Sequence, residues 1–392
     1  MNIHSTRRAI HACVRRAGTS FTGLVVCCAG LWLLLFSPLG QNVEEGVEAR
    51  VAPASEAELV RGVTISCQTW GKEWGSEGFR RELLDLRGLG ANWIAIHPYA
   101  RIDGSGKVSW RDMDSEEAPR WLTGPIADAH DLGMQLMVKP HLAYWGSPFS
   151  WRGAIEFSEP EARTRFWKDY RRWILELARA TTGADAFVVG TELDLLLGDE
   201  SQWRALIADV REVTDAKLTY AANWTDFERV PFWDALDAIG VQAYFPLVVL
   251  PPESGAGDGS DLAEAPSVPA RGALPDVETL RAGWTRALRP LRSIHNQTGK
   301  PVIFTELGYD CSLLAALEPW KDEGAPREVR AEAEVLQERC YNLALEVLAE
   351  EQAWLRGAFL WKWFVGEPWR GDTSFYVDRA PLRAIMRSHW VR

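Results

Sequence analysis

Two glutamates that end apolar runs are the residues in this sequence best suited to chemistry. Glu192 ends the run AFVVGTE and Glu306 ends PVIFTE, so each carboxyl directly follows a stretch predicted to be a buried strand. A carboxylate in such a place is costly to bury without a partner or a chemical role. Either glutamate alone is more typical of a salt bridge. Two facing carboxyls suit glycosidic bond cleavage, in which one protonates the leaving oxygen and the other attacks or activates water.

Tryptophan is the second chemical signal, with 20 copies among 392 residues. Flat indole rings bind the C–H faces of sugars with little loss of conformational entropy. We predict that Trp173 and Trp203 pack in the core, whereas others face a ligand. The tryptophans that lie at or just after predicted strand ends, and are therefore candidates for sugar contact, are Trp70, Trp145, Trp224, Trp361 and Trp363.

Eight short apolar runs are the elements that must position these side chains. They occupy residues 62–68, 93–99, 135–141, 186–193, 218–223, 238–244, 301–308 and 357–364. Their nearly continuous hydrophobicity is typical of parallel strands buried on both faces. Amphipathic stretches lie between most of them, most clearly at 160–181 and 328–351. This alternation predicts an α/β fold of the (β/α)8 TIM-barrel type. A doubly wound open sheet is the alternative, but no GxGxxG or P-loop follows the first strand.

In such a barrel the carboxyl ends of the strands gather at one mouth, where Glu192 and Glu306 would meet. His97 and His141 also lie near strand ends, and histidine is a common metal ligand. No HxH or HExxH pattern occurs, so we expect these side chains to contact sugar hydroxyls or pack in the core. We therefore expect no metal and no cofactor. The absence of GxSxG argues against a serine esterase.

The N-terminus has the features of a targeting segment. Arginines at positions 7, 8, 15 and 16 precede an apolar run at 21–40, long enough to cross a bilayer. Because the basic residues lie on the short, N-terminal side of the apolar run, they predict that the rest of the chain lies outside the cytoplasm. No good cleavage site follows the run, which favours an uncleaved anchor over a cleaved signal peptide. We predict that 1–40 is this segment, 41–60 a linker and 61–392 the catalytic domain, with a functional or disordered loop at 251–275.

Net charge narrows the class of binding partner, and cysteine content indicates whether disulfides hold the fold together. The formal net charge is −11, which repels phosphate and argues against a nucleic-acid partner. Cys67, Cys311 and Cys340 are the cysteines that follow the N-terminal segment, so at most one bridge can form among them. We predict that disulfides do not hold the fold together. Membrane contact is expected only through the N-terminal segment, and a monomer is compatible with the sequence.

The region from 61 to about 364 resembles the retaining glycoside hydrolases of clan A, and most closely glycoside hydrolase family 113. The matching segments are RGVTIS, NWIAIHPYARI, LMVKPHL, FVVGTEL, IGVQAYFPL, KPVIFTELGY and GAFLWKWF. GTEL and FTELGY are specific in combination, although either alone is weak. The resemblance implies an endo-β-1,4-mannanase that works by retention on a (β/α)8 barrel without a metal. Retention requires the two carboxyls to lie about 5–5.5 Å apart.

The resemblance also implies roles for individual residues. Glu192 corresponds to the general acid/base and Glu306 to the nucleophile. Tyr244 corresponds to the strand-six tyrosine that donates a hydrogen bond to the nucleophile. The candidates taken from the resemblance and from strand position are Trp361 or Trp363 for the floor of the −1 subsite, and Lys139, His141 and Asn223 for sugar hydroxyls. Thr191 stands where many clan A enzymes have an asparagine that holds the sugar 2-hydroxyl, so the group that contacts this hydroxyl stays open.

Three functions follow from these patterns. The first is an exported hydrolase of mannan or glucomannan, acting on a polysaccharide or oligosaccharide. The second keeps the mechanism and changes the sugar to a β-glucan or a cell-envelope glycan. The third is a non-catalytic glycan-binding barrel anchored at the membrane. The presence of both Glu192 and Glu306 favours the enzymes over the silent barrel.

Overall fold

A computed structural model describes residues 58–391, except 112, 114–117, 250–273 and 370–373. The predicted targeting segment 1–40, almost all of the linker 41–60 and most of the loop 251–275 lie outside the described residues. Within the described part, no helix is both long and apolar enough to span a bilayer.

Eight of the strands close into a parallel barrel. The strands of the described chain are β1 (Val60–Ser66), β2 (Trp93–Ile96), β3 (Tyr99–Ile102), β4 (Val108–Ser109), β5 (Gln135–Val138), β6 (His141–Ala143), β7 (Ala186–Thr191), β8 (Lys217–Asn223), β9 (Ile239–Gln242), β10 (Val302–Leu307) and β11 (Leu355–Phe364). The barrel order is β1-β11-β10-β9-β8-β7-β5-β2, and every neighbouring pair is parallel. Each of the eight predicted runs forms one of these strands, so the predicted TIM barrel is confirmed.

A small second sheet, which the hydrophobic pattern did not predict, extends the barrel mouth. Its order is β4-β3-β6, with β3 antiparallel to β4 and parallel to β6. Two predicted runs, 93–99 and 135–141, contain prolines at 98 and 140. Proline has no N–H to donate to a ladder, so the barrel strands β2 and β5 end before these residues. The chain then resumes pairing beyond each proline as β3 and β6.

Helices surround the barrel on the outside. They are α1 (Glu77–Gly88), α2 (Arg120–Asp131), α3 (Pro160–Ala180), α4 (Glu200–Arg211), α5 (Val277–Thr298), α6 (Arg330–Glu350) and α7 (Ala380–Trp390). Helix α3 begins with Pro160, whose fixed φ suits a first helical turn, and one face of this helix buries aromatic and aliphatic residues, as its amphipathic sequence predicts. Between β8 and β9 there are only the short 3-10 turns Phe227–Arg229 and Trp233–Ala235.

The interior of the barrel is a packed layer of side chains. It forms a cluster separate from the main core, made of Ala95, Met137, Val188, Ala221, Ile303 and Phe359. Gly62 of β1 leaves room for the Phe359 ring, since a Cβ there would lie 2.5 Å from it. This layer closes the barrel, so a ligand can enter only at a mouth. Cys67, Cys311 and Cys340 are all unpaired.

Candidate active site

Glu306 lies at the end of β10 in a buried and fully partnered environment. Its side chain is only 4% exposed. Tyr244 Oη donates to Oε2 at 2.6 Å, and Lys139 Nζ donates to Oε1. His141 Nε2 lies 3.5 Å from the same Oε1. One cation and one phenol therefore bind the two oxygens, which is what a buried carboxylate needs.

The two main partners of Glu306 are themselves buried. Burial lowers the pKa of Lys139, while the charge of Glu306 acts in the opposite direction. Lys139 Nζ also donates to the Thr305 carbonyl at 3.1 Å, which fixes the ammonium beside the carboxylate. Burial raises the pKa of Tyr244 well above its ordinary value, and the charge of Glu306 raises it further. Tyr244 therefore stays protonated and remains a hydrogen-bond donor.

Glu192 occupies a different kind of position, one residue beyond the end of β7. Its φ of 51° lies in the left-handed region that non-glycine residues rarely adopt. Its backbone N–H donates to the Ala221 carbonyl of β8 at 2.9 Å, which holds this turn against the neighbouring strand. Such strain clusters at functional sites. It directs a carboxyl that is 13% exposed toward the barrel mouth.

Arg152 pairs with Glu192 and is the main site residue that the sequence did not reveal. Its Nε and Nη2 both donate to Glu192 Oε2, at 3.2 and 2.6 Å. Arg152 begins a short 3-10 turn between β6 and α3. Burial by itself lowers the pKa of Arg152, but the charge of Glu192 and those of other nearby groups raise it above the ordinary value. An arginine in a loop after a strand carries no sequence signal of this contact.

Asp194 is a second carboxyl close to Glu192 that the sequence reading missed. It is 5% exposed, and its Oδ1 has no hydrogen-bond partner in the described part of the chain. Burial, followed by the charges of Asp226 and Glu192, raises the pKa of Asp194 to about 8. The signal available in the sequence was the acid two positions after Glu192 in GTELD.

Both glutamates open into one cavity of about 560 Å³ at the mouth of the barrel. We call it the catalytic cavity because it contains both predicted catalytic residues. It is lined by Tyr144, Trp151, Arg152, Glu192, Asn223, Trp224, Thr225, Tyr244, Glu306, Trp320, Asp322, Trp361 and Phe375. Of the predicted ligand-binding residues, Tyr244, Asn223, Trp224 and Trp361 are among them. Trp320 stacks on Trp224 with ring centroids 5.4 Å apart, although nothing in the loop that carries Trp320 pointed to the site.

The other predicted ligand-binding residues lie elsewhere. Lys139 and His141 are 0% and 1% exposed and sit beneath Glu306, where they contact the carboxylate rather than the cavity. Trp70 and Trp145 lie outside the cavity on the side of the small sheet, where each packs on Tyr99. Trp145 is 51% exposed.

Trp363 lies behind the barrel wall rather than in the cavity. It is 0% exposed, and its indole N–H donates to Glu82 Oε2 of α1 at 2.9 Å. Trp361 and Trp363 are two apart on one strand and would share a face of a regular strand. The register between β1 and β11 shifts between Val63 and Ile65, and this irregularity places the two indoles on opposite sides.

The two histidines near the site are buried and neutral. Burial lowers the pKa of His97 and of His141 well below the ordinary value, and nearby cations lower both further. Their rings stack with centroids 5.0 Å apart and both pack near the Trp361 ring. Among the described residues there is no group of three or more His, Cys, Asp or Glu side chains that could hold a metal ion.

Known proteins resemble this chain in sequence and in fold. The sequence model of Glycoside Hydrolase Family 113 matches residues 63–370. A solved GH113 β-1,4-mannanase complex is 20% identical, covering 86% of this chain and 100% of that chain, with a TM-score of 0.67. The GH113 β-mannanase AaManA from Alicyclobacillus acidocaldarius, in complex with ManMIm, is 22% identical over 85% and 97%, with a TM-score of 0.66.

A more distant structure has the same fold. The endoglucanase Cel5A of Pseudomonas stutzeri is 14% identical, covering 87% of this chain and 97% of that chain, with a TM-score of 0.50. No curated protein sequence gives a significant match to this chain. The identities to the solved structures establish a likeness of fold.

Proposed function

Because the chain belongs to Glycoside Hydrolase Family 113 and is therefore a glycoside hydrolase with a polysaccharide or oligosaccharide substrate, we propose that it hydrolyses β-1,4-mannan or glucomannan with retention. The observation that carries this proposal is that Glu192 and Glu306, from β7 and β10, open into one aromatic-lined cavity. The similar solved structures described as a β-1,4-mannanase and a β-mannanase support the choice of sugar.

Glu306 is the proposed nucleophile. Its attack on the anomeric carbon requires an ionised carboxylate with fixed direction. The Lys139 ammonium and the Tyr244 hydroxyl bind one oxygen each, so the carboxylate is held without a water shell. As charge leaves Glu306 on forming the glycosyl-enzyme, Tyr244 retains its proton because its pKa is well above neutral.

Glu192 is the proposed acid/base. It protonates the leaving oxygen in the first step and takes a proton from water in the second. Both Arg152 donors bind Oε2, which leaves Oε1 as the oxygen that carries the proton to the substrate. Arg152 then stabilises the carboxylate that the first step produces.

Asn223 is the proposed contact for the sugar 2-hydroxyl. Thr191, which stands where clan A enzymes often have asparagine for this purpose, is 2% exposed, and its hydroxyl donates to the Pro140 carbonyl at 3.0 Å. Asn223 ends the adjacent strand β8 and lines the cavity. Its Oδ1 accepts a bond from the Thr225 N–H at 3.3 Å, which leaves Nδ2 to donate to a ligand.

The test is a substrate panel with product stereochemistry. Full-length protein is incubated with β-mannan, glucomannan, β-glucan and xylan, reducing ends are measured, and NMR identifies the first anomer released. We expect release from mannan and glucomannan with the β-anomer first. Release of the α-anomer first would contradict retention. Release of reducing ends from β-glucan alone would show that β-glucan, and not mannan, is the substrate. Binding without any release would support the non-catalytic barrel instead.

We also propose that the enzyme acts outside the cytoplasm, anchored by residues 1–40 or released after their removal. Four arginines ahead of an apolar run support this location. Protease added to intact cells should digest the catalytic domain if it is anchored, and culture or periplasmic fractions should contain it if it is released. Recovery of intact protein only from the cytoplasm would contradict the proposal.

A further inference from the structure

A second cavity lies beside the catalytic one, under the small sheet β4-β3-β6. Its volume is about 350 Å³, within the range of about 300–1,000 Å³ typical of ligand pockets. The side chains that form its walls include Trp70, Tyr99, Trp110 and Trp121, all half-buried, with Trp173 contributing as well. We call it the aromatic pocket.

A continuous row of aromatic rings connects the two cavities. Tyr144 lines the catalytic cavity, and its ring lies 5.9 Å from that of Trp145. Trp145 packs on Tyr99 at 5.2 Å, and Tyr99 packs on Trp70 at 5.9 Å. Tyr99 and Trp70 line the aromatic pocket. A ligand that leaves the catalytic cavity on this side therefore meets one aromatic surface along its path.

The pocket is held in shape by polar contacts and backbone geometry. The Trp110 indole N–H donates to Glu176 Oε2 at 2.7 Å, which fixes that wall. Trp70 has a φ of 64°, in the left-handed region that tryptophan rarely adopts, and Gly71 follows with a φ of 91°. Backbone strain of this kind persists only where the surrounding structure enforces the strained conformation, as it does at ligand-binding sites. The structure holds the Trp70 indole at the pocket despite this cost.

Arg101 adds a donor at the rim. It is exposed, and its guanidinium lies over the Trp70 ring, 4.6 Å from the centroid. Stacking restricts the guanidinium, while its N–H edges remain able to donate. A flat aromatic face beside fixed donors matches a pyranose, which presents apolar C–H faces and hydroxyls around its edge.

We propose that the aromatic pocket is a distal subsite that binds a sugar residue of the same β-glycan chain whose scissile bond lies in the catalytic cavity. This inference rests on the proposed hydrolase function and extends it to substrate length. Long chains gain affinity from Trp70 and Arg101, whereas short glycosides that occupy only the catalytic cavity do not reach them.

The test compares chain lengths in full-length protein. The measured quantity is kcat/KM for mannohexaose divided by that for an aryl β-mannoside. We expect Trp70→Ala to lower this ratio about tenfold, mainly through KM for the long substrate, as loss of one stacking platform predicts. Arg101→Ala should lower it by a smaller factor. Leu84→Ala, an exposed change on α1, is the matched control and should keep the wild-type ratio.

Two further measurements separate the possible failures. If Trp70→Ala does not fold, Arg101→Ala decides, because its side chain is exposed. An unchanged ratio in folded variants that still hydrolyse mannan would overturn the distal subsite and leave the proposed function intact. If the wild type hydrolyses no mannan, calorimetric binding of mannohexaose to the wild-type protein is compared with its binding to Trp70→Ala. A loss of about tenfold in affinity supports the subsite, and equal affinity or no binding overturns it.

Discussion

The surroundings of Glu306 and Glu192 differ more than their similar places in the sequence suggest. Glu306 sits at the base of the cavity with a buried cation, a phenol and a histidine around it. Glu192 sits on a strained turn at the mouth, with a single arginine from a loop on one oxygen. The first arrangement fixes a charge in one place. The second leaves one oxygen of the Glu192 carboxyl without a donor from Arg152.

This difference corresponds to two different physical requirements on a carboxyl group, one for a nucleophile and one for a general acid/base. A nucleophile gains from preorganised partners, because these cost no reorganisation as the bond forms. A general acid/base must exchange protons with the substrate and water, so full enclosure would hinder it. Under the proposed roles, the barrel meets both requirements by placing Glu306 inside a strand and Glu192 just beyond a strand end.

The largest expected effect comes from Glu306→Gln. Activity should fall by about 10⁵-fold, as for removal of a covalent nucleophile. The free energy of unfolding should also fall, by about 3–5 kcal/mol, because Lys139 is left buried without its counter-charge. Kinetic assays and urea denaturation check both effects, with the exposed Glu332→Gln as control. Wild-type activity in the variant would remove Glu306 from the mechanism.

Glu192→Ala should have the next largest effect, about 10³-fold on polysaccharide. An aryl glycoside with a good leaving group needs less acid assistance, so its first step should be affected less. Azide should restore part of the activity by replacing the base-assisted water. The exposed Glu228→Ala is the control. Equal loss on both substrates with no azide rescue would contradict the acid/base role and the contrast between the two glutamates.

Tyr244→Phe tests whether the fixed partners of Glu306 matter to the rate. Loss of the Oη donor should lower kcat by about a hundredfold, since one preorganised hydrogen bond to a reacting carboxylate is lost. Tyr376→Phe, which removes a hydroxyl bonded to Asp378 at 3.1 Å outside the cavity, should behave as wild type. A kcat within a factor of about two of wild type in Tyr244→Phe would show that preorganisation by this residue is dispensable.

The smallest effect expected concerns Asp194 beside Glu192. Its folded-state pKa of about 8 exceeds the ordinary 3.8, so its contribution to stability is present at low pH and is lost as pH rises toward 8. Asp194→Asn removes this loss. The variant should therefore gain about 2 kcal/mol relative to wild type between pH 6 and pH 8, measured by urea denaturation. A constant difference across this range, matching the exposed control Asp215→Asn, would show that Asp194 titrates normally.

Much of the fold could be predicted because buried parallel strands leave a strong local pattern. The run that contains Glu306 was predicted as 301–308 and forms β10 (Val302–Leu307). The small sheet was missed because Pro98 and Pro140 divide runs that look continuous in hydrophobicity. Pairing in the small sheet depends on where the barrel strands β2 and β5 end and on the direction that the chain takes afterwards. The hydrophobicity of the sequence does not record either.

The candidate site could be predicted only where a residue sits at a strand end. Tyr244, Asn223 and Trp224 were found in this way and line the cavity. Lys139 follows a strand end too, but its side chain turns inward to Glu306. Arg152 and Trp320 come from loops, whose path over the mouth depends on the packing of distant elements.

By itself the sequence determined the barrel and the presence of a carboxyl at the ends of β7 and β10, because burial on both faces restricts residue type position by position. Only the tertiary structure decided how each side chain was used. The shift in register between β1 and β11 sends Trp361 into the cavity and Trp363 against α1. Arg152 and Glu192 are 40 positions apart in the sequence, and their side chains come into contact only when the whole barrel has packed.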